Sequence, residues 1–316
     1  MAFLNREYRP DLAVGIEFNT LGGAAKFLAP RLFPRFAVRE MGGTIAAAQV
    51  IQASGVKDRT QGQALTGTRV ASVDVTYSCV HYEGRSLLDD KEIKQHGGVD
   101  AAVKAGAVVS GWRAGGEYEK DAAAKVFTAT RYAAATAINA SAPFDALISA
   151  ATDVKHYGEP SPVCSETWLR QFVKNPVVMD VLVDLYGHRI IAGVMSGAED
   201  ALLAVGAAFA IKRILVGDDA FWAVGAGTGT DYSDAAAVVG LREEAMRTDP
   251  LLTAKALPCY GFAPTFLPDE ASTLEFPFEI MTGYLDATKD SYVDATLYAN
   301  VVEANAAAAK LVKLPA

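Results

Sequence analysis

The sequence predicts an α+β protein, on three observations. Val73, Val75, Tyr77 and Cys79 alternate with Ser72, Asp74, Thr76 and Ser78. Val293, Ala295, Leu297, Ala299 and Val301 alternate with Asp294, Thr296, Tyr298 and Asn300. A strict two-residue period marks a half-buried strand, because successive side chains leave opposite faces. Between these stretches, residues 99–137 set Val99, Val103, Val108, Trp112, Val126 and Phe127 in an alanine-rich background. Alanine is the best helix former, so a long helix is expected there.

In chain order, residues 1–40 carry Phe3, Phe18, Phe27, Leu32, Phe33 and Phe36 without a helical stripe, broken by Pro10, Pro30 and Pro34. Such a stretch is expected to lie extended across another surface, not in its own core. Residues 41–68 are glycine-rich and polar around Ser54–Gln63, with a weaker strand signal from Gly43 to Val50. Paired with the strand at 72–79, this predicts a long hairpin with a polar tip. Two strands bury too little surface to be stable alone, so the hairpin needs a partner. Gly111, Gly115 and Gly116 each weaken the long helix by about 1 kcal/mol relative to alanine, which predicts a break or a close packing contact.

Ser141-Ala142-Pro143 and Pro160-Ser161-Pro162 read as linkers around 144–158. A Trp168-bearing helix follows, stopped at Asn175-Pro176. An alanine-rich helix then runs to about Arg213, and Ile214–Gly217 reads as a short strand. Residues 225–233 read as a loop and 234–246 as another helix; Pro258, Pro264 and Pro268 punctuate the exit. Strand character returns from Thr273, ending in the alanine-rich tail 304–309.

The bulk numbers bound the possibilities. A chain of 316 residues with 51 % hydrophobic and 21 % charged residues is globular, of one or two domains. The N-terminal residues carry no signal-peptide core and no apolar run approaches the ~20 residues of a membrane span. A soluble protein made in a cytoplasm is expected. Cys79, Cys164 and Cys259 are odd in number and far apart, giving neither a disulfide framework nor a zinc spacing; they read as small buried hydrophobes. A net charge of −8 disfavours a nucleic-acid binder.

No constellation for chemistry stands above background. Gly225, Gly227 and Gly229 suggest a dinucleotide loop, but Thr230 stands where the third fingerprint glycine would fall and no βαβ unit surrounds it. Asp218 and Asp219 after the short strand read as solvated turn residues, not magnesium ligands. His81, His96, His156 and His188 have no ligand spacing, and no Gly-x-Ser-x-Gly is present. His81 with Glu83 reads as an exposed polar pair. No catalytic residue, cofactor or metal is expected.

The order of these pieces resembles the tailed-bacteriophage major capsid proteins of the Hong Kong 97-type shell fold. Phe27–Val38, where Phe33-Pro34 enters a strand, resembles the end of the family's N-terminal arm. Tyr77–Tyr82 with Leu87–Glu92 is similar to the passage from extended loop to spine helix, and 162–217 to the axial domain. The resemblance implies an N-terminal arm at 1–40, an extended loop hairpin at 41–80, and a peripheral domain with the spine helix at 81–160. It further implies an axial domain at 161–262 and a return to the peripheral domain at 263–316.

The function implied is self-assembly into pentamers and hexamers of an icosahedral shell around double-stranded DNA, in the virion. Phe27, Leu32, Phe33 and Arg35 of the arm and Val56, Lys57, Asp58 and Arg59 at the hairpin tip become candidates for contact between copies. Implied partners are other copies, a portal, and possible separate scaffolding and decoration proteins; no charged coiled-coil segment precedes the arm, so no built-in scaffold is expected. An acidic wall suits DNA that must slide as it enters. Some shells of this type join a loop lysine to an asparagine, for which Lys57 with Asn300 or Asn305 would serve; a solvated loop lysine is the plainer reading. Two alternatives stand beside the virus: an encapsulin-type nanocompartment of the same fold, and a nucleotide-binding α+β enzyme using Gly225–Gly229.

Overall fold

The computed structural model describes residues 7–9, 12, 27–52, 69–195, 201, 205–206, 214–223, 231–242, 249–266, 278–285 and 290–315. Glu7–Tyr8 form a short strand, β1. Ala29–Leu32 make one helical turn, α1, and after Pro34 the chain extends as β2, Arg35–Val38. The hairpin follows: β3, Gly42–Gln52, pairs antiparallel with β4, Arg69–Ser78, with a bulge between Ala48 and Val50. Strand β5, Val80–Leu88, leads to helix α2, Asp90–Gln95. A capping box starts α2: the Glu92 backbone N–H donates to Asp89 Oδ1 at 2.6 Å and Asp89 N–H to Glu92 Oε2 at 3.3 Å.

The long helix α3, Val99–Val126, runs 28 residues without a break, about 42 Å at 1.5 Å per residue. Its glycines therefore serve packing. A Cβ on Gly106 would press on Val293 at 3.2 Å, and one on Gly116 on the Phe221 ring at 3.3 Å. The opposing strand contributes Gly84, whose absent side chain lets the Ser110 carbonyl approach the sheet. The helix stops at Val126, short of the expected 137. Helix α4, Ala129–Ala133, brings Arg131 back to donate to the carbonyls of Lys125 (2.6 Å) and Val126 (3.3 Å), satisfying the end of α3.

Strand β6, Thr136–Ala137, and helix α5, Pro143–Val154, precede β7, Glu159–Ser165. Ser165 caps α6, Glu166–Val173, accepting from Trp168 N–H at 3.1 Å. The stop expected at Asn175-Pro176 is found, since α6 ends at Val173, and the same pair starts the next helix. Asn175 caps α7, Pro176–Tyr186, with proline in its first turn, where no N–H is needed. Then come α8, Arg189–Met195; β8, Leu215–Gly217; α9, Asp219–Trp222; β9, Ala235–Leu241; and α10, Pro250–Ala256. The chain ends in β10, Gly261–Phe266; β11, Phe278–Leu285; β12, Asp290–Ala299; β13, Val302–Glu303; and β14, Ala309–Lys313.

Apart from the two-stranded β3–β4 hairpin, two sheets organise these strands. The first runs β1-β11-β12-β10-β13, with β2 added parallel to β10 and β5 antiparallel to β12. The second runs β6-β14-β9-β7-β8. The largest core cluster joins α3 to both sheets through Tyr118, Trp222, Val239, Val293 and Leu297. A second cluster fills the space between the second sheet and helices α5 to α7, around Trp168, Phe172 and Val178. Along β12 the expected face is inside: Val293, Ala295, Leu297 and Ala299 are all buried.

Two expectations are corrected here. The helix expected at 234–246 is a strand over 235–241, buried on both faces; a continuous apolar run carries no period, and its alanines imitate a helix. The linker expected at Pro160-Ser161-Pro162 is the start of β7. Both prolines precede Val163, where β8 begins to pair, so that side of the strand needs no donor there. The chain end does not return wholly to the first sheet. Strand β14 pairs with β9 and β6 in the second, and α5 packs within the second core cluster.

Candidate interaction surfaces

The first of three regions is the segment 27–38. Phe27, Leu32 and Phe33 are buried within their own chain, so the expectation that this stretch lies outside the core is corrected. Phe33 packs tilted against Tyr260 with ring centroids 5.2 Å apart, and Phe27 against Phe221 at 5.7 Å. The physical reason is register: β2 pairs parallel to β10 from Arg35↔Ala263 to Val38↔Phe266, which carries the apolar residues before it onto α3. Gly261 makes room, since a Cβ there would meet the Phe33 ring at 2.7 Å. Arg35 is half-buried at the start of β2. As contact residues for another copy, the three apolar side chains offer little surface.

The segment is fastened by a residue sequence reasoning missed. Glu119 of α3 is fully buried and accepts three hydrogen bonds: from Leu28 N–H at 2.5 Å, Ala29 N–H at 2.9 Å and Trp222 Nε1–H at 2.6 Å. Burial pushes its carboxyl up to about 7, against the lowering effect of those bonds. The signal was present: Gly111, Gly115, Glu119, Ala122 and Val126 fall at helical spacing on one buried stripe. A lone glutamate inside an apolar stripe announces a partner.

The second region is the hairpin. Its root is tied to the body. Asn305 Nδ2 donates to the carbonyls of Ala48 (3.0 Å) and Cys259 (2.7 Å), Gln49 Nε2 to Ala304 (2.8 Å), and Asn300 Nδ2 to Ser78 (2.5 Å). Ala47 and Ala48 are buried there, beside α10. A cleft of about 610 Å³ opens beside the root, lined by Phe36, Ile45, Asp74, Tyr77, Leu251 and Lys255 among others. Outward along β4 the apolar face loses cover: Cys79 is buried, Tyr77 and Val75 are half-buried, and Val73 is 55 % exposed. Val56, Lys57, Asp58 and Arg59 lie outside the described residues. Of the asparagines considered for a cross-link, Asn305 is buried with its amide engaged.

The third region comprises apolar side chains exposed elsewhere. On α3, Val108, Val109 and Trp112 face solvent; on α7, Val177, Met179, Leu185 and Tyr186 do so. Leu87 projects from the outer face of β5, and Val80 is exposed where that strand begins.

The groups once weighed for chemistry have structural places. Asp218 caps α9 through Ala220 N–H at 2.8 Å. Asp219 accepts from the Thr167 N–H (2.9 Å) and hydroxyl (2.6 Å), joining α9 to α6. His81 packs edge-on against Tyr298, centroids 4.6 Å apart. Cys79, Cys164 and Cys259 are free and buried, and burial raises all three thiols, that of Cys259 to about 12. Among the described residues no three His, Cys, Asp or Glu side chains gather as metal ligands, and no helix is long and apolar enough to cross a membrane. The Gly225–Thr230 loop lies outside the described residues.

No model of a known protein family matches the chain, and no curated protein matches it in sequence. Solved structures do. A phage-related protein from Bordetella bronchiseptica is similar over 99 % of this chain and 100 % of its own, with TM-score 0.65 at 14 % identity. The virus-like particle from Pyrococcus furiosus matches 96 % of this chain and 98 % of its own, with TM-score 0.52 at 8 % identity. The capsid of the cyanophage P-SCSP1u matches 90 % and 86 %, with TM-score 0.51 at 13 % identity. Together with the two-sheet, long-helix architecture, these likenesses show that the chain has the α+β phage-capsid fold.

Proposed function

We propose that this chain is a major capsid protein, a structural and non-enzymatic subunit that assembles with copies of itself into the pentamers and hexamers of an icosahedral shell around double-stranded DNA. The observation that carries the reading is the hairpin, whose root is bonded to its own body while its apolar face is progressively uncovered toward Val73. A neighbouring copy would complete that burial. The exposed apolar residues of α3 and α7 supply further surfaces, and many modest contacts repeated around closed rings make a stable shell.

In this reading residues 41–80 form the extended loop, α3 the spine of the peripheral part, and α6 to α8 with the second sheet the axial part. The arm before Phe27 and the tip residues Val56, Lys57, Asp58 and Arg59 contact neighbours. A portal, a scaffold and a decoration protein are the further partners such a shell would take, and the virion is its location. Sedimentation of the expressed protein tests the proposal: most of the chain runs as large particles, whereas a 33.4 kDa monomer at all concentrations contradicts it.

The likeness to the Pyrococcus furiosus virus-like particle favours one second reading, an encapsulin-type compartment. Nuclease-protected DNA inside particles made during infection supports the virus; a protein cargo without DNA supports the compartment.

A further inference from the structure

Along α3 the residues Ala101, Ala105, Val108, Trp112, Gly115, Glu119, Ala122 and Val126 recur at alternating steps of four and three. That spacing sets them on one stripe of the helix, the pattern of a seam between packed helices. From Gly115 onward the chain buries the stripe itself, with Leu28, Ala29 and Trp222 bonded to Glu119. From Ala101 to Trp112 the stripe is open. Ala101 is exposed, Ala105 is half-buried, Val108 is 36 % exposed and Trp112 is 48 % exposed. One continuous seam is thus core in one half and bare in the other.

The bare half has small residues at its N-terminal end and large ones at its C-terminal end. A second copy of the helix, turned end for end about a point between Gly106 and Ala107, fits it by shape. Trp112 then meets the partner's Ala101 and Val108 meets the partner's Ala105, and each match occurs twice. A parallel pairing would crowd tryptophan against tryptophan and leave a gap between alanines. Trp112 is already held in place, with the Phe27 and Phe221 rings 6.4 and 6.0 Å away, so contact costs it little freedom. Lys104 is the only charged residue between Ala101 and Trp112, so the seam brings few charges out of water.

We propose that the open half of α3 is a two-fold contact, in which two copies of this chain pack their long helices antiparallel. The seam is about 16 Å long. It is too short to bury the ~1,600 Å² of a standard complex, so it persists where other contacts already gather copies. In that respect the proposal rests on the shell reading.

Disulfide trapping in Ala105→Cys tests it. With helix axes 8–10 Å apart, the two Cα atoms at position 105 lie about 6 Å from each other, within disulfide reach. The two at position 125 lie about 55 Å apart, which makes Lys125→Cys the control. Cys79, Cys164 and Cys259 are buried and stay out of the reaction. After mild oxidation of sedimented particles, Ala105→Cys should run as a covalent dimer on a denaturing gel, and Lys125→Cys and wild type as monomers. Adding Ala101→Trp, at an exposed position, should abolish the dimer. Monomeric Ala105→Cys in intact particles overturns the seam and leaves the shell standing. Dimers of Lys125→Cys, or dimers that survive Ala101→Trp, overturn the antiparallel fit. If nothing sediments, the shell reading fails, and oxidation of the concentrated free chain decides the seam: dimers of Ala105→Cys support it and monomers overturn it.

Discussion

Substituting Gly84 by alanine tests whether the close seating of α3 on the first sheet is what holds the two together. Gly84 lies on the buried face of β5, opposite the middle of α3. An added Cβ would overlap the Ser110 carbonyl oxygen and stand 2.8 Å from its carbon and 3.0 Å from Arg113 Cβ. Carbon atoms prefer about 3.5–4.0 Å, so helix and strand must separate by roughly 1 Å. The obstacle is helix backbone, which no rotamer change can move aside. Overpacking costs about 1–3 kcal/mol, and this site belongs at the upper end. The reduced freedom of the unfolded chain returns up to ~1 kcal/mol, leaving about 2 kcal/mol of destabilisation. In a chain of this size that lowers Tm by about 3 °C. Gly42→Ala is the control, because its Cβ would make an ordinary 3.6 Å contact with the Tyr77 carbonyl. Thermal unfolding followed by circular dichroism should show Gly84→Ala melting lower and Gly42→Ala unchanged or slightly higher. Equal melting of Gly84→Ala and wild type refutes the packing argument.

Other outcomes follow from the same structure. Asn305→Ala leaves the Ala48 and Cys259 carbonyls without their donor and should cost about 2–4 kcal/mol in urea unfolding, with faster proteolysis at the hairpin root. Val73→Lys replaces an exposed side chain, so subunit stability should change by less than ~0.5 kcal/mol while particle yield, read by sedimentation, falls sharply. Leu185→Asp on α7 should behave in the same way. A thiol reagent at pH 8 should label none of the three cysteines in the folded protein and all three in denaturant, since burial both shields and neutralises them.

What could be read from the sequence was what local chemistry dictates. The alternation at 72–79 and 293–299 gave β4 and β12, and Asn175-Pro176 gave a helix boundary, because side-chain period and capping need no tertiary context. What could not be read depends on partners distant in sequence. The seven residues of β9 carry no period because both faces are covered, and β14 finds its place only when β6 and β9 meet it. Pro160 and Pro162 signal a linker unless one knows that β8 starts at Val163's level. Phe27, Leu32 and Phe33 suggested a stretch without a core because their berth is built by α3, α9 and β10. Glu119 was legible as an oddity in an apolar stripe, but its three donors come from residues 28, 29 and 222.

The shell reading is tested most directly by electron microscopy of the purified full-length chain. The account predicts closed particles of uniform diameter, with the hairpin of each copy lying over its neighbour. Isolated subunits at every concentration, with residues 53–68 folded against their own body and resistant to protease, would contradict it.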